Sequence, residues 1–78
     1  MSEPTYLSLS QARATLADMG IQLTDRQIKR AAETDFEGRR KLPFFLDPIE
    51  KRLKIEKSTL INIYRNLQKE AEMSAVFN

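Results

Sequence analysis

The sequence predicts a small α+β fold of three helices and one β-hairpin. Three patterns lead to this prediction: two capping boxes a short distance apart, an alternating apolar and charged segment after an Asp-Pro turn, and a final apolar stripe at helical spacing. A chain of 78 residues with 41% hydrophobic and 31% charged residues has room for one core only. We therefore expect a flexible N-terminal arm at 1–5, a single domain at 6–72 and a tail at 73–78.

The first helix is predicted over about 9–19. Ser8 and Gln11 have the spacing of a capping box, in which a hydroxyl and a side-chain amide satisfy backbone N–H groups at a helix start. Gly20 supplies the left-handed residue that commonly ends a helix. The apolar face of this helix consists of Leu9, Ala12, Leu16 and Met19.

The second helix is predicted over 25–33, after a turn of three residues. Thr24 and Gln27 form a second capping box, and Asp25 lies at the positive end of the helix dipole. Its buried side is narrow and rich in alanine. Its other side carries Arg26, Gln27, Lys29, Arg30 and Glu33. The polar residues from Glu33 to Gly38 predict a loop.

A hairpin and a third helix complete the predicted fold. Strands are expected near 44–46 and 53–57, joined by a turn that opens at Asp47 and Pro48. Arg39, Arg40 and Lys41 are expected at the base of this hairpin, and Lys51 and Arg52 at its tip. The third helix is predicted over about 58–72 from the stripe Leu60, Ile63, Tyr64, Leu67 and Ala71.

The composition argues against an enzyme. The chain has no histidine and no cysteine, so it lacks imidazole bases, thiolate nucleophiles and the usual zinc ligands. We expect no catalytic residues, no bound metal, no cofactor and no small-molecule substrate. No apolar run is long enough to span a bilayer, and Met1 to Leu9 lacks the pattern of a signal peptide, so we expect a cytoplasmic protein without a membrane partner.

The distribution of charge favours double-stranded DNA as the partner. The net charge is only +2, but residues 25–57 contain ten of the thirteen Lys and Arg residues against seven of the eleven acids. A short capped helix with basic and amide side chains suits a major groove, and a basic hairpin suits the phosphate backbone. The predicted DNA-binding residues are Thr24, Arg26, Gln27, Lys29, Arg30, Arg39, Arg40, Lys41, Lys51 and Arg52.

The order of elements over about 6–67 resembles the winged helix-turn-helix of MerR-type regulators and of the small excisionases of phages and plasmids. The resemblance implies that the second helix enters the major groove while the hairpin, as a wing, contacts the adjacent backbone. It also implies a transcription regulator or a recombination directionality factor of a mobile element, which acts by DNA bending. Its partners would be a recombinase, or further copies of the chain on adjacent sites.

Two alternatives stay open at this point. Residues 48–60 also fit a second helix-turn-helix of the resolvase type in an all-α bundle, with Lys57, Ser58, Thr59, Asn62 and Arg65 on the DNA. The chain could instead be a protein-interaction module or inhibitor. In that case the apolar face of helix 58–72 would bind a groove in another protein.

Overall fold

Three helices and three short strands form the fold of this computed structural model, which describes residues 3–76. The elements in chain order are β1 (Tyr6–Leu7), α1 (Leu9–Asp18), α2 (Asp25–Ala32), β2 (Phe45–Leu46), β3 (Leu53–Glu56) and α3 (Lys57–Val76). The predicted α+β class is confirmed, and the arrangement is consistent with a winged-helix-like fold. Met1, Ser2 and the last two residues of the predicted tail lie outside the described residues.

Helix α1 begins and ends where its local signals predict. The Ser8 Oγ accepts a hydrogen bond from the Gln11 amide at 3.2 Å, and the Gln11 Oε1 accepts one from the Ser8 amide at 3.0 Å. At the other end Gly20 has a φ of 91°, and the Ile21 amide donates to the Leu16 carbonyl at 2.8 Å. This pattern is a Schellman motif, which stops the helix and directs the chain into the turn before α2.

The sheet has the strand order β1-β3-β2 and is antiparallel throughout. The predicted hairpin is confirmed: Leu46 pairs with Leu53, and Phe45 with Lys54. Phe44, which was expected in the first strand, precedes β2 and is buried in the core. Strand β1 was not predicted, because two residues carry no detectable alternation and their partners on β3 lie far along the chain.

The four largest fully buried side chains join the elements at the centre of the core. Leu16 comes from α1, Ile28 from α2, Ile55 from β3 and Leu60 from α3. Each of these elements therefore contributes one anchor to the core, and the position of α2 is determined by Ile28 and Ala32 on its narrow buried side.

Helix α3 follows β3 without a loop, and the Glu56 carboxylate caps its start. The two carboxylate oxygens accept hydrogen bonds from the Ser58 amide at 2.9 Å and the Thr59 amide at 3.2 Å. The Ser58 amide is the main cause that lowers the pKa of Glu56 below its ordinary 4.5. Because 53–56 is a strand and no helix precedes it from 48 onward, the all-α alternative with a second helix-turn-helix is wrong.

Helix α3 is also longer than predicted. It runs to Val76, so residues 73–76 of the expected tail are helical. Side chains from Arg65 to Ser74 are exposed, and the helix packs on the body through its first two turns only. The prediction ended early because it followed the apolar stripe, whereas Gln, Lys, Glu and Ala, which are good helix formers, continue the helix without burial.

Candidate nucleic-acid interface

Helix α2 starts at a complete capping box. The Thr24 Oγ1 accepts from the Gln27 amide at 3.1 Å, and the Gln27 Oε1 accepts from the Thr24 amide at 2.8 Å. The Arg13 Nε lies 3.1 Å from an Asp25 carboxylate oxygen and links α1 to this helix start. The box uses one lone pair on each of these two oxygens, so Thr24 and Gln27 can still donate to a ligand and can accept one further hydrogen bond.

Three cations lie on the exposed side of α2. Arg26, Lys29 and Arg30 are exposed, and none of them forms an ion pair within residues 3–76. The nearby carboxylate of Asp25 is paired with Arg13 instead. Glu33 at the end of this helix is exposed as well, so residues 25–33 have three cations against two carboxylates and a net charge of +1.

A groove of about 460 Å³ lies between α2, the following loop and α3. Gln27 and Arg30 of α2 meet Lys41 of the loop there, so the fold brings together three of the predicted DNA-binding residues. The other lining residues are Leu23, Ala31, Leu42, Ile63, Tyr64 and Leu67. The groove thus combines an apolar lining with two cations and an amide.

Arg39, Arg40 and Lys41 are not at the base of the hairpin, where they were expected. The chain after α2 folds back on that helix: the Leu42 amide donates to the Ala31 carbonyl at 3.0 Å, and the Arg40 Nε donates to the Ala32 carbonyl at 2.8 Å. Arg40 therefore satisfies a carbonyl at the C-terminal end of α2. The expectation was wrong because backbone hydrogen bonds between a loop and a helix end have no signature in the sequence.

The wing tip, residues 47–52, is a closed loop. Asp47 holds it together, because its amide donates to the Arg52 carbonyl and its own carbonyl accepts from the Lys51 amide, both at 2.8 Å. Lys51 has a φ of 60°, in the left-handed region. Lys54 pairs with Glu50 at 3.1 Å and folds the tip toward the strand.

The wing-tip cations line a second groove. This groove of about 490 Å³ is formed by Lys51 and Arg52 with the start of α1, and its other lining residues are Ser8, Leu9, Ser10, Leu46 and Leu53. Lys41 and Arg30 line a different groove, so the structure divides the predicted basic surface into two. A DNA ligand would have to bridge both parts to contact all of the predicted residues.

Two exposed aromatic features escaped the sequence prediction. Phe36 lies in the loop after α2 and is fully exposed. Tyr6 and Phe45 contact each other edge to face on the sheet, with ring centres 5.7 Å apart. A single aromatic residue among turn-forming polar residues is the signal that would have identified Phe36, whereas the Tyr6–Phe45 pair depends on β1.

Comparison of the chain with protein-family models, with curated proteins and with solved structures gave no match. Among the described residues, every helix is too short or too polar to cross a membrane.

Proposed function

We propose that this protein binds double-stranded DNA in a sequence-specific manner, without a catalytic step of its own. The observation that carries the proposal is the exposed side of α2, where Arg26, Lys29 and Arg30 are all unpaired among residues 3–76. Surface cations on helices are commonly offset by acids three or four residues away. On α2 the acid at that spacing, Glu33, forms no ion pair with Lys29 or Arg30 within residues 3–76, and Asp25 pairs with Arg13.

The dimensions of α2 suit a major groove. As an α-helix, α2 has a diameter of about 10–12 Å with its side chains, which fits the major groove of B-DNA, about 12 Å wide. Arg30 has the fork of donors that pairs with a guanine edge, and the side-chain NH₂ of Gln27 can donate to a base acceptor. Since the Gln27 oxygen accepts one bond within the capping box, the two-bond contact that glutamine makes with adenine would have to use the second lone pair of that oxygen.

Lys51 and Arg52 would contact phosphates beside the major groove. The two residues lie at the tip of a closed hairpin, which is the position of a wing. Contacts with phosphates position a protein on the duplex and do not depend on the base sequence. Within this proposal the chain acts as a transcription regulator or as an excisionase-like directionality factor, in the cytoplasm. A recombinase, or further copies of the chain on adjacent sites, would then complete the assembly.

A salt series tests the proposal. Selection from a randomised duplex library supplies a site, and fluorescence anisotropy then measures affinity between low and moderate salt. Six cations are available for phosphate contacts: Arg26, Lys29, Arg30, Lys41, Lys51 and Arg52. If each contacts one phosphate, the slope of log K against log salt is about −5. Lack of enrichment in the selection, or a slope near zero, refutes DNA binding.

Two variants separate readout from positioning. Arg30→Ala should weaken binding and relax the preference at one base pair, at a cost of about 1–3 kcal/mol. Lys51→Ala should weaken binding equally on all duplexes and reduce the salt slope by about one. If Arg30→Ala weakens binding to all duplexes equally, α2 does not read bases.

The groove beside α3 favours a second candidate function, binding of another protein. The stripe once expected to form that surface is divided, because Leu60 is fully buried, Ile63 and Tyr64 are half-buried, and only Leu67 is largely exposed. An amphipathic helix of a partner could still insert along Leu67 into the groove. Leu67→Asn would weaken such binding and adds no charge beside Arg30 and Lys41, so DNA affinity should stay within about twofold. If the variant loses DNA affinity and keeps its affinity for the partner protein, this second candidate function is wrong.

A further inference from the structure

The turn at Asp35–Arg39 presents one aromatic side chain at its apex. Phe36 is fully exposed, the most exposed of the large hydrophobic residues in the described chain. Its neighbours Thr34, Asp35 and Glu37 are polar and exposed as well, so the ring belongs to no apolar patch. Single exposed hydrophobic residues are common on protein surfaces. Phe36 differs in that its ring is fully exposed at the apex of a closed turn, where a ligand can reach it.

The turn that carries Phe36 is closed by its own hydrogen bonds. One Asp35 carboxylate oxygen accepts from the Glu37 amide at 2.9 Å and from the Arg39 amide at 3.0 Å. The Asp35 amide donates to the Arg39 carbonyl at 2.8 Å, and Gly38, with a φ of 77°, completes the turn. These bonds hold the loop independently of the core and leave the ring pointing into solvent.

The turn lies next to the proposed recognition helix, and three cations follow it in the chain. Arg40 joins the loop to the C-terminal end of α2 through its bond to the Ala32 carbonyl. The Glu37 carboxylate is 3.5 Å from the Arg39 guanidinium. Over the whole loop, 33–41, three carboxylates are balanced by three cations, and the cations all follow the ring in the chain.

We propose that Phe36 is a wedge that inserts between two stacked base pairs from the minor groove of duplex DNA. The inference rests on the proposed DNA binding and assigns it a bending device. Apolar side chains on architectural proteins open base steps in this way and kink the duplex toward the major groove, while flanking Arg and Lys hold the phosphates. Insertion is easiest at flexible pyrimidine–purine steps, so such a step is expected beside the site read by α2.

The shape of the contact favours DNA over a protein or a lipid surface. A protein pocket normally takes several apolar side chains, and around Phe36 there is one only. Asp35 and Glu37 oppose anionic headgroups and DNA phosphates alike, so they do not separate the two ligands, but a single ring is weak anchoring in a lipid interface. The space between two separated base pairs is apolar and as thick as one aromatic ring. A single phenyl ring can therefore fill this space without further apolar side chains around it.

A fluorescence experiment tests insertion directly, because the chain contains no tryptophan. Phe36→Trp introduces a single indole that can be excited selectively, and Phe45→Trp supplies a matched control on the outer face of the sheet. Each variant is titrated with the selected duplex and with acrylamide as a quencher. For Phe36→Trp the expected result is strong quenching of the indole emission by DNA together with protection from acrylamide. The emission of Phe45→Trp should change little.

A bending assay on the same duplex, labelled at both ends for energy transfer, completes the test. Phe36→Ala should reduce the bend by about 20° or more and change Kd by less than about tenfold, because opening a base step offsets much of the gain from burying the ring. Phe45→Ala should leave the bend unchanged.

The outcomes separate the wedge from DNA binding itself. If the duplex binds with normal affinity but the indole of Phe36→Trp stays accessible to acrylamide and Phe36→Ala bends DNA like the parent, the wedge is overturned and DNA binding stands. If the parent protein does not bind the duplex, both proposals fall. A response of the Phe36→Trp indole to phosphatidylcholine–phosphatidylglycerol vesicles without a response to DNA also overturns the wedge.

Discussion

Thr24→Ala tests whether the capping box of α2 both stabilises the fold and positions the proposed recognition helix. The substitution removes the Oγ1 that accepts the Gln27 amide at 3.1 Å and leaves that amide without its partner. Loss of such a cap costs about 1 kcal/mol. In a domain of roughly 60–100 residues, about 1 kcal/mol lowers Tm by roughly 4–8 °C, so a decrease of that size is expected.

Thermal unfolding followed by circular dichroism measures this decrease, and two further variants calibrate it. Thr24→Ser keeps the hydroxyl and should melt close to the parent. Ser8→Ala removes the corresponding atom from the box of α1 and should cost a similar amount, since the two boxes have the same geometry. If Thr24→Ala has the same Tm as Thr24→Ser while Ser8→Ala has a lower Tm than the parent, the Thr24 cap contributes nothing to the stability of the fold.

DNA affinity supplies the second readout for the same variants, at a temperature where each is folded. Fraying of the first turn displaces Arg26 and Gln27, so Thr24→Ala should bind the selected duplex more weakly than Thr24→Ser does. A variant that loses stability and keeps full affinity would show that α2 is not the inserted element.

Three further predictions concern the supports of the site. Arg40→Ala should destabilise the fold by about 0.5–1.5 kcal/mol, because it removes the hydrogen bond to the Ala32 carbonyl at the end of α2. Arg39→Ala should have little effect, and equal urea unfolding midpoints for the two variants would contradict this prediction. Because the fold lowers the pKa of Glu56 below 4.5, its cap is fully stabilising above pH 4.5 and is lost as pH falls through the lower folded value. The Tm difference between the parent and Glu56→Gln should therefore shrink in acid, and a constant difference would refute the cap. Leu60→Ala should lower the free energy of unfolding by about 2–5 kcal/mol, as measured by chemical denaturation, because Leu60 is fully buried. Leu67→Ala, at an exposed position on the same helix, should lower it by less than about 0.5 kcal/mol.

Much of the fold was predictable because its signals are local. A capping box depends on two residues three positions apart, so the starts of α1 and α2 could be predicted from the sequence. The end of α1 could be predicted because glycine readily adopts the positive φ that a Schellman motif requires. The hairpin was likewise indicated by an Asp-Pro turn and the alternation before Glu56. Strand β1 and the extra turn of α3 were missed because pairing across the chain and helix continuation without burial leave no such pattern.

The site was predictable in composition and much less so in arrangement. The basic residues of α2 are exposed as expected. Lys41 joins Arg30 in one groove, whereas Lys51 faces the start of α1 in another. Arg40 was placed at the hairpin base, but its guanidinium binds the end of α2. Charge along the chain shows how many cations are available, and it does not show which of them share a surface.

The sequence by itself determined the order and type of the main elements, because helix caps, turn residues and apolar periodicity act over a few residues. Only the tertiary structure decided which side chains meet: the third strand, the grouping of Arg30 with Lys41, and the full exposure of Phe36. The physical reason is that burial and contact depend on how distant segments pack around Leu16, Ile28, Ile55 and Leu60, and no local pattern contains that information.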